Sequence, residues 1–131
     1  MEKFKKQIEN DIEINIAIDF DGVIHRNSKG FHDGTIYDKP VKGTKRSLKK
    51  LYNMGFNLII FTCKARNDRV LINGKTAVEM IWEWLEKYEL DKYILNITNE
   101  KPRALCYIDD KGIRFENWNQ TFKMIGSLSS F

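Results

Sequence analysis

The sequence predicts an α/β fold built on a mostly parallel β-sheet. Short apolar segments rich in β-branched residues alternate along the chain with longer segments whose apolar residues recur at helical spacing. Such alternation is typical of strand–helix–strand units, in which each helix connects two parallel strands. Since 131 residues suffice for one hydrophobic core, we expect a single domain over residues 1–131.

The first strand is expected at about residues 13–18, after a short polar helix over residues 2–10. The strand segment carries β-branched residues at alternate positions and is too short to form a helix. Polar and flexible residues follow it directly: Asp19, Asp21 and Gly22.

Residues 23–39 interrupt the alternation with an irregular stretch that contains both histidines of the chain, His25 and His32. We expect a small hairpin that closes near residues 35–37. Because this stretch leaves directly from the acidic segment, it is a candidate substrate-facing flap. Each histidine is interpreted either as a solvated loop residue or as a functional one, with the stronger functional case for His25.

The remaining elements complete a Rossmann-like three-layer sandwich with helices on both faces and no large cap domain. Thr76 and Glu79 fit a capping box at the start of the second main helix, whose aromatic stripe is predicted to be core. Cys106 is predicted to be a packed thiol in mid-strand. Helices are expected over about 44–54, 76–89 and 118–125, and strands over about 56–61, 93–97, 104–108 and 113–115.

Composition and charge narrow the class of protein. No apolar run approaches the ~20 residues that span a bilayer, and the first residues lack a signal peptide's apolar stretch. We therefore expect a soluble cytoplasmic protein without a membrane partner, in which Cys63 and Cys106 are free thiols. The net charge of +4 is modest and dispersed, which argues against nucleic acid as the main partner. Oligomeric state is left open.

Charged and hydroxyl side chains follow three of the predicted strands: Asp19 and Asp21 follow the first, Thr62 the second, and Asp109 and Asp110 the fourth. Lys101 lies just before the fourth strand. In parallel sheets ligands bind at the carboxyl ends of the strands, so we expect these groups to meet at one edge.

Four carboxylates, one hydroxyl and one ammonium at one sheet edge suit a magnesium-assisted phosphoryl transfer. Mg²⁺ prefers oxygen ligands and keeps several waters, so one or two carboxylates and a substrate phosphate suffice. An aspartate can attack phosphorus and carry it as an aspartyl-phosphate. A second carboxylic acid can protonate the leaving alkoxide and later deprotonate a water. Thr62 and the backbone N–H groups after it, beginning at Cys63, could bind the phosphoryl oxygens, and Lys101 could balance their charge.

These residues resemble the motifs of the haloacid dehalogenase (HAD) superfamily of phosphatases, in particular its small capless members. The resemblance rests on Asp19-Phe20-Asp21-Gly22-Val23, on Thr62 after an apolar strand, on Lys101, and on Asp109-Asp110 after another strand. The motifs span nearly the whole chain, and the first is the most specific. The resemblance implies one HAD-like hydrolase domain, Mg²⁺ as cofactor and a phosphorylated small molecule as substrate.

The resemblance also implies a role for each matched residue. Asp19 would be the nucleophile and a metal ligand, and Asp21 the general acid/base with its backbone carbonyl on the metal. Thr62 would bind the phosphoryl group, and Lys101 would stabilise the charge of the phosphate and the nucleophile. The Asp109-Asp110 pair would supply a magnesium ligand in Asp109, and in Asp110 either a ligand through water or a partner of Lys101.

The chain departs from superfamily members that carry a cap domain, since only residues 23–39 and 67–74 could provide cover. An open site of this kind would accept a bulky substrate or rely on a partner subunit as a lid. Several basic side chains either contact an anionic substrate or are solvated surface charge: Lys64, Arg66, Arg69, Lys111 and Arg114.

The sequence thus predicts a Mg²⁺-dependent phosphomonoester hydrolase that acts on a sugar phosphate or a nucleotide. A nucleic-acid end phosphatase is one alternative, which the open site and the positive net charge permit. A catalytically weak module that binds a phospho-ligand or a partner is another, since the sequence identifies no specificity pocket. Transfer to an acceptor other than water stays open, although the sequence offers no second acceptor site.

Overall fold

The computed structural model describes residues 14–30, 33–66 and 71–128. Within these residues the sheet has four strands, which are β1 (Asn15–Ile18), β2 (Asn57–Phe61), β3 (Ile94–Thr98) and β4 (Cys106–Ile108). Three α-helices accompany the sheet in the same part of the chain, namely α1 (Thr44–Asn53), α2 (Ala77–Lys87) and α3 (Trp118–Leu128). The predicted helix over residues 2–10 and His32 lie outside the described residues.

All pairs of neighbouring strands in this sheet are parallel, in the order β3-β2-β1-β4. Strand β1, which Asp19 and Asp21 follow, is therefore internal, with β2 on one side and β4 on the other. Residue Ile18 lies opposite Ile60 of β2 and opposite Ile108 of β4, so the three strands end at the same level. The prediction of an α/β, Rossmann-like sandwich with a mostly parallel sheet and no large cap is confirmed.

The hydrophobic core joins one face of the sheet to the first two helices. Because side chains alternate along a strand, Ile16 and Ile18 of β1 share this face. They form one buried cluster with Leu58 and Ile60 of β2 and with residues of both helices, Leu48, Ile81, Trp84 and Leu85. In contrast, α3 has no buried residue.

Helix α2 begins with the predicted capping box. The Thr76 hydroxyl accepts a hydrogen bond from the Glu79 N–H, and the Glu79 carboxylate accepts one from the Thr76 N–H, both at 3.1 Å. The aromatic stripe of this helix is core, as predicted, with Ile81 and Leu85 fully buried. This face of α2 fixes the helix against the sheet.

Two predictions near the end of the chain are wrong. Strand β4 is short and exposed, so Cys106 is not a packed thiol. All three residues of β4 are exposed and α3 has no buried residue, whereas the other edge strand, β3, buries Ile94 and Ile97; among the described residues β4 therefore lacks a cover that would bury the thiol. The predicted strand over residues 113–115 does not form either, and Phe115 instead packs against Trp118 of α3, with 5.2 Å between the ring centres.

The candidate flap over residues 23–39 has a paired base. The Arg26 N–H donates to the Lys39 carbonyl, and the Val41 N–H donates to the Ile24 carbonyl, both at 2.9 Å. The pairing therefore lies nearer the base of the flap than the predicted closing point at residues 35–37.

Among the helices of the described ranges, none has the length and apolar character needed to cross a membrane.

Candidate active site

The carboxyl ends of β1, β2 and β4 bring the predicted site residues to one edge of the sheet. The parallel register sets Asp19 beside Asp109, because both residues follow paired positions on neighbouring strands. The backbone confirms this alignment, since the Asp19 N–H donates to the Ile108 carbonyl at 2.9 Å. Thr62 follows β2 on the other side, where its N–H donates to the Thr98 carbonyl of β3 at 2.9 Å.

Three carboxylates converge at this edge. Asp19, Asp109 and Asp110 each offer one oxygen atom, and these atoms lie within 4.8 Å of one another. Asp19 is half-buried, whereas Asp109 and Asp110 are exposed. Oxygen atoms at such separations are compatible with a hard divalent cation.

Gly22 makes room for this cluster. Its φ of +88° belongs to the left-handed region, which side chains other than glycine rarely adopt. A Cβ atom at this position would also overlap the Asp110 carboxylate. The glycine of the first motif therefore permits both the turn after β1 and the approach of Asp110.

The environment of Asp19 disfavours its charged form in the absence of a cation. Burial is the main cause that raises the pKa of Asp19 to about 6, and the negative charges of Asp109, Asp110 and Asp21 add to it. The Phe20 N–H, which donates to Asp19 Oδ1 at 2.8 Å, opposes this rise. A bound cation would relieve both the repulsion and the lost solvation.

Asp21 has different neighbours. Its Oδ1 atom lies 2.8 Å from Nδ1 of His25, and its Oδ2 atom lies 3.1 Å from the Lys64 ammonium. Burial alone would raise the pKa of Asp21, but the hydrogen bond from His25 and the charge of Lys64 outweigh burial and lower it. Asp21 is outside the group of three convergent carboxylates, and its side chain is held by partners of its own.

The segment after β2 forms a tight polar turn. Thr62 is buried and precedes a one-turn 3-10 helix, Cys63–Ala65, whose Lys64 N–H donates to the Thr62 hydroxyl at 3.3 Å. Cys63 is exposed at the same turn. The turn thus presents a hydroxyl, a thiol and an ammonium to the space above Asp19 and Asp21.

Lys101 lies apart from this turn. Its ammonium is 4.8 Å from the centre of the Tyr107 ring, on the exposed strand β4. Lys101 and Asp19 both line a cavity of about 580 Å³. The structure thus brings Lys101 to the same region as Asp19, but Lys64 is the ammonium that pairs with a site carboxylate.

A second cavity, of about 370 Å³, contains most of the predicted site. Asp19 and Asp109 line both cavities, so the two spaces adjoin at the acidic cluster. The flap forms one wall of the smaller cavity. The residues that line it are Asp19, Asp21, Asn27, Gly30, Thr35, Tyr37, Thr62, Cys63, Lys64, Asp109, Asp110 and Lys111.

Sequence reasoning undervalued two residues of this site. His25 is fully buried beside Asp21, although a loop histidine is usually solvated. Lys64 has only 11% of its side chain exposed, so of its two expected roles, substrate contact or solvated surface charge, the second does not apply. Two sequence signals were available, namely the four-residue spacing from Asp21 to His25 across a glycine turn, and the position of Lys64 two residues after Thr62.

Comparison with known proteins identifies a fold and not a family. No family model matches the chain, and no curated protein matches it. A solved structure described as that of a conserved protein coded by a locus from Bacteroides thetaiotaomicron is similar, with a TM-score of 0.53 and 19% sequence identity. The match covers 89% of this chain and 93% of that chain. At this level of identity the likeness concerns the fold alone.

Proposed function

We propose that this protein is a Mg²⁺-dependent phosphomonoester hydrolase that acts through an aspartyl-phosphate on Asp19. The observation that carries the proposal is the division of the acidic residues into two sets around one cavity. Asp19, Asp109 and Asp110 converge on one point, whereas Asp21 is held separately by a histidine and a lysine. A phosphatase of this type needs both a cation site and a distinct acid/base.

The carboxylates of Asp19, Asp109 and Asp110 would hold the cation. All three are oxygen donors, and Mg²⁺ prefers such ligands with the rest of its shell made of water. The raised pKa of Asp19 agrees with this assignment, since burial and, to a lesser degree, the neighbouring carboxylates disfavour its charge, and a bound cation would offset both. When bound, Mg²⁺ neutralises charge on the phosphoryl oxygens and on the nucleophile.

In the first step, a carboxylate oxygen of Asp19 forms a bond to phosphorus and the bond from phosphorus to the substrate oxygen breaks. The departing alkoxide would take its proton from Asp21, whose lowered pKa makes it a strong acid in this step and favours its carboxylate form at the start of the next. In the second step, Asp21 takes a proton from a water, whose oxygen bonds to phosphorus. The bond to Asp19 then breaks, and phosphate leaves with the carboxylate restored.

The turn after β2 would bind the phosphoryl group. The Thr62 hydroxyl and the backbone N–H of Cys63 would donate to its oxygens, and Lys64 would balance its charge at close range. Lys101 would add positive charge from the side of β4. Such positioning and charge neutralisation account for most of the acceleration in phosphoryl transfer.

The resemblance to the motifs of the HAD superfamily supports this function, because Asp19, Thr62, Asp109 and Asp110 of those motifs lie at one edge of the sheet. The substrate class that we favour is a phosphorylated small molecule, either a sugar phosphate or a nucleotide. We further propose that the protein acts in the cytoplasm, where Mg²⁺ and such substrates are abundant.

The test is phosphate release from a panel of sugar phosphates, nucleotides and 5′- or 3′-phosphorylated oligonucleotides, with and without Mg²⁺. We expect release by the wild type that requires Mg²⁺ and is lost in Asp19→Asn. The control is Asp91→Asn, which makes the same chemical change in a turn before β3. Release only from oligonucleotides would identify an end phosphatase.

Failure would take either of two forms. Undiminished release by folded Asp19→Asn would exclude an aspartyl-phosphate on this residue. No release from any member of the panel by folded wild type would instead favour a module that binds a phospho-ligand.

A further inference from the structure

His25 is a buried polar side chain with a partner on each ring nitrogen. Its exposed fraction is 0%. Nδ1 lies 2.8 Å from Asp21 Oδ1, and Nε2 lies 3.0 Å from the backbone nitrogen of Asp38. The imidazole therefore connects the flap to the proposed acid/base.

The partner on Nε2 fixes the tautomer. A backbone N–H can only donate, so the N–H of Asp38 requires an unprotonated Nε2 as its acceptor. The ring proton of a neutral imidazole is then on Nδ1. His25 consequently donates its Nδ1–H to Asp21 Oδ1.

Packing holds the ring in this orientation. His25 stacks on Phe20 at 5.4 Å between ring centres, and it meets the edges of Tyr37 and Trp84 at 5.3 and 5.7 Å. Trp84 of α2 also donates its indole N–H to the carbonyl of Asp38 at 2.9 Å. A chain of two hydrogen-bonded contacts thus runs from helix α2 through Asp38 to the imidazole.

This geometry excludes two other roles for His25. Its lack of exposure keeps the ring from a substrate, and neither nitrogen is available for proton transfer. The hydrogen bond from His25 to Oδ1 fixes the orientation of the Asp21 carboxylate. It leaves Oδ2, which pairs with Lys64, as the oxygen that can serve the leaving group.

We propose that His25 is a positioning residue for Asp21: its Nδ1–H fixes Oδ1 so that Oδ2 faces the cleft for proton transfer. The inference rests on the proposed function, since it assigns a task within that reaction. Loss of orientation by about 1 Å can reduce a catalysed rate by roughly 10²-fold. His25 acts without touching the substrate.

A matched pair of substitutions separates the two hydrogen bonds. His25→Asn places an amide nitrogen at the distance of Nδ1 from the backbone, so it retains a donor for Asp21. His25→Gln places its amide at the distance of Nε2, so it retains an acceptor for Asp38 and loses the contact with Asp21. Both variants remove the ring and its packing.

We expect kcat of His25→Gln to fall by roughly 10²-fold with little change in KM, because ground-state binding does not need Asp21. His25→Asn should lose less than tenfold. Melting temperatures of both variants provide the structural comparison. The inference is overturned if the two kcat values fall equally, or if each follows its melting temperature.

A second measurement separates this inference from the proposed function. In the uniformly ¹⁵N-labelled protein, the imidazole signals give the tautomer of each histidine, and His32→Gln assigns them because the chain has two histidines. We expect a protonated Nδ1 on His25 that exchanges slowly with water and becomes exchangeable in Asp21→Ala. An Nε2-protonated tautomer would overturn the inference, whether or not the wild type releases phosphate.

Discussion

At the scale of single residues, Gly22 and Lys64 lie against the carboxylates of the acidic edge, which is the edge of the sheet that carries Asp19, Asp21, Asp109 and Asp110. Gly22 combines a positive φ with the close approach of Asp110, so any side chain there meets two obstacles. Lys64 is an ammonium that lies mostly within the protein beside a carboxylate. Each residue therefore predicts a distinct effect of substitution.

Gly22→Ala should destabilise the fold by about 1–3 kcal/mol, since alanine is strained at this φ. It should also weaken Mg²⁺ binding at least tenfold, because the added methyl group displaces Asp110. Gly43→Ala is the matched control, as Gly43 has a φ of +87° and nothing within 4 Å of its Cβ position. Thermal melts over a Mg²⁺ titration measure both effects. Equal Mg²⁺ affinity in the two variants would contradict the role of Gly22.

Lys64→Met should raise KM for a phosphomonoester by roughly tenfold, the effect of about 1.4 kcal/mol of lost attraction. The methionine retains the length of the buried stem while removing the charge. The comparison is Lys49→Met, on an exposed position of α1. Steady-state kinetics on the best substrate of the panel would decide, and an unchanged KM in Lys64→Met would assign this lysine to Asp21 alone.

At the scale of elements, helix α2 supports the site through its start and its inner face. Its first turn is closed by Thr76 and Glu79, and its Trp84 donates to the carbonyl of Asp38, the residue whose N–H donates to His25. The orientation of α2 is thus transmitted to Asp21 over three hydrogen bonds, which join Trp84 to Asp38, Asp38 to His25 and His25 to Asp21. A substitution that disrupts the start of α2 should therefore lower the free energy of unfolding more than it lowers the catalysed rate.

Thr76→Ala should reduce the free energy of unfolding by about 1 kcal/mol, because the first-turn amide of Glu79 loses its acceptor. Ser47→Ala, an exposed position within α1, should change stability much less. Urea denaturation of both variants measures the difference. A loss in Thr76→Ala no larger than that in Ser47→Ala would mean that the capping box contributes nothing net.

At the scale of the whole molecule, the acidic edge links stability to pH and to metal. A carboxyl whose pKa is raised in the folded state binds a proton more tightly there than in the unfolded chain. Asp19 therefore disfavours folding above about pH 6, and this effect disappears as the pH falls toward the ordinary range of aspartate. A cation that binds the folded protein should offset the same effect.

Asp19→Asn should consequently melt at a higher temperature than the wild type at pH 7.5 without metal, and the difference should shrink toward pH 4. Addition of Mg²⁺ at pH 7.5 should raise the melting temperature of the wild type and not that of the variant. Melts at several pH values, with and without Mg²⁺, test both points. A wild-type melting temperature that does not change when Mg²⁺ is added would argue against the cation site.

Strands β1 and β2 and the capping box of α2 could be predicted from the sequence. The signals for them, which are β-branched runs, turn residues and the Thr76–Glu79 spacing, are local. The sequence was also sufficient to place Asp19, Thr62 and the Asp109-Asp110 pair at one edge. The spacing from Asp21 to His25 indicates their contact, but the burial of His25 could not be predicted, because its other partners Asp38 and Trp84 are distant in sequence. The exposure of Cys106 was missed because an apolar strand pattern does not show whether another element covers the strand, and β4 is exposed at all three residues.

The exposure of both thiols has a practical consequence. Cys63 borders the smaller cavity and Cys106 the larger one, so each cavity carries its own alkylation target. A phosphate analogue such as vanadate should shield Cys63 from iodoacetamide and leave Cys106 to react. Mass spectrometry of the modified peptides would then report occupancy of each cavity separately, without any need for turnover.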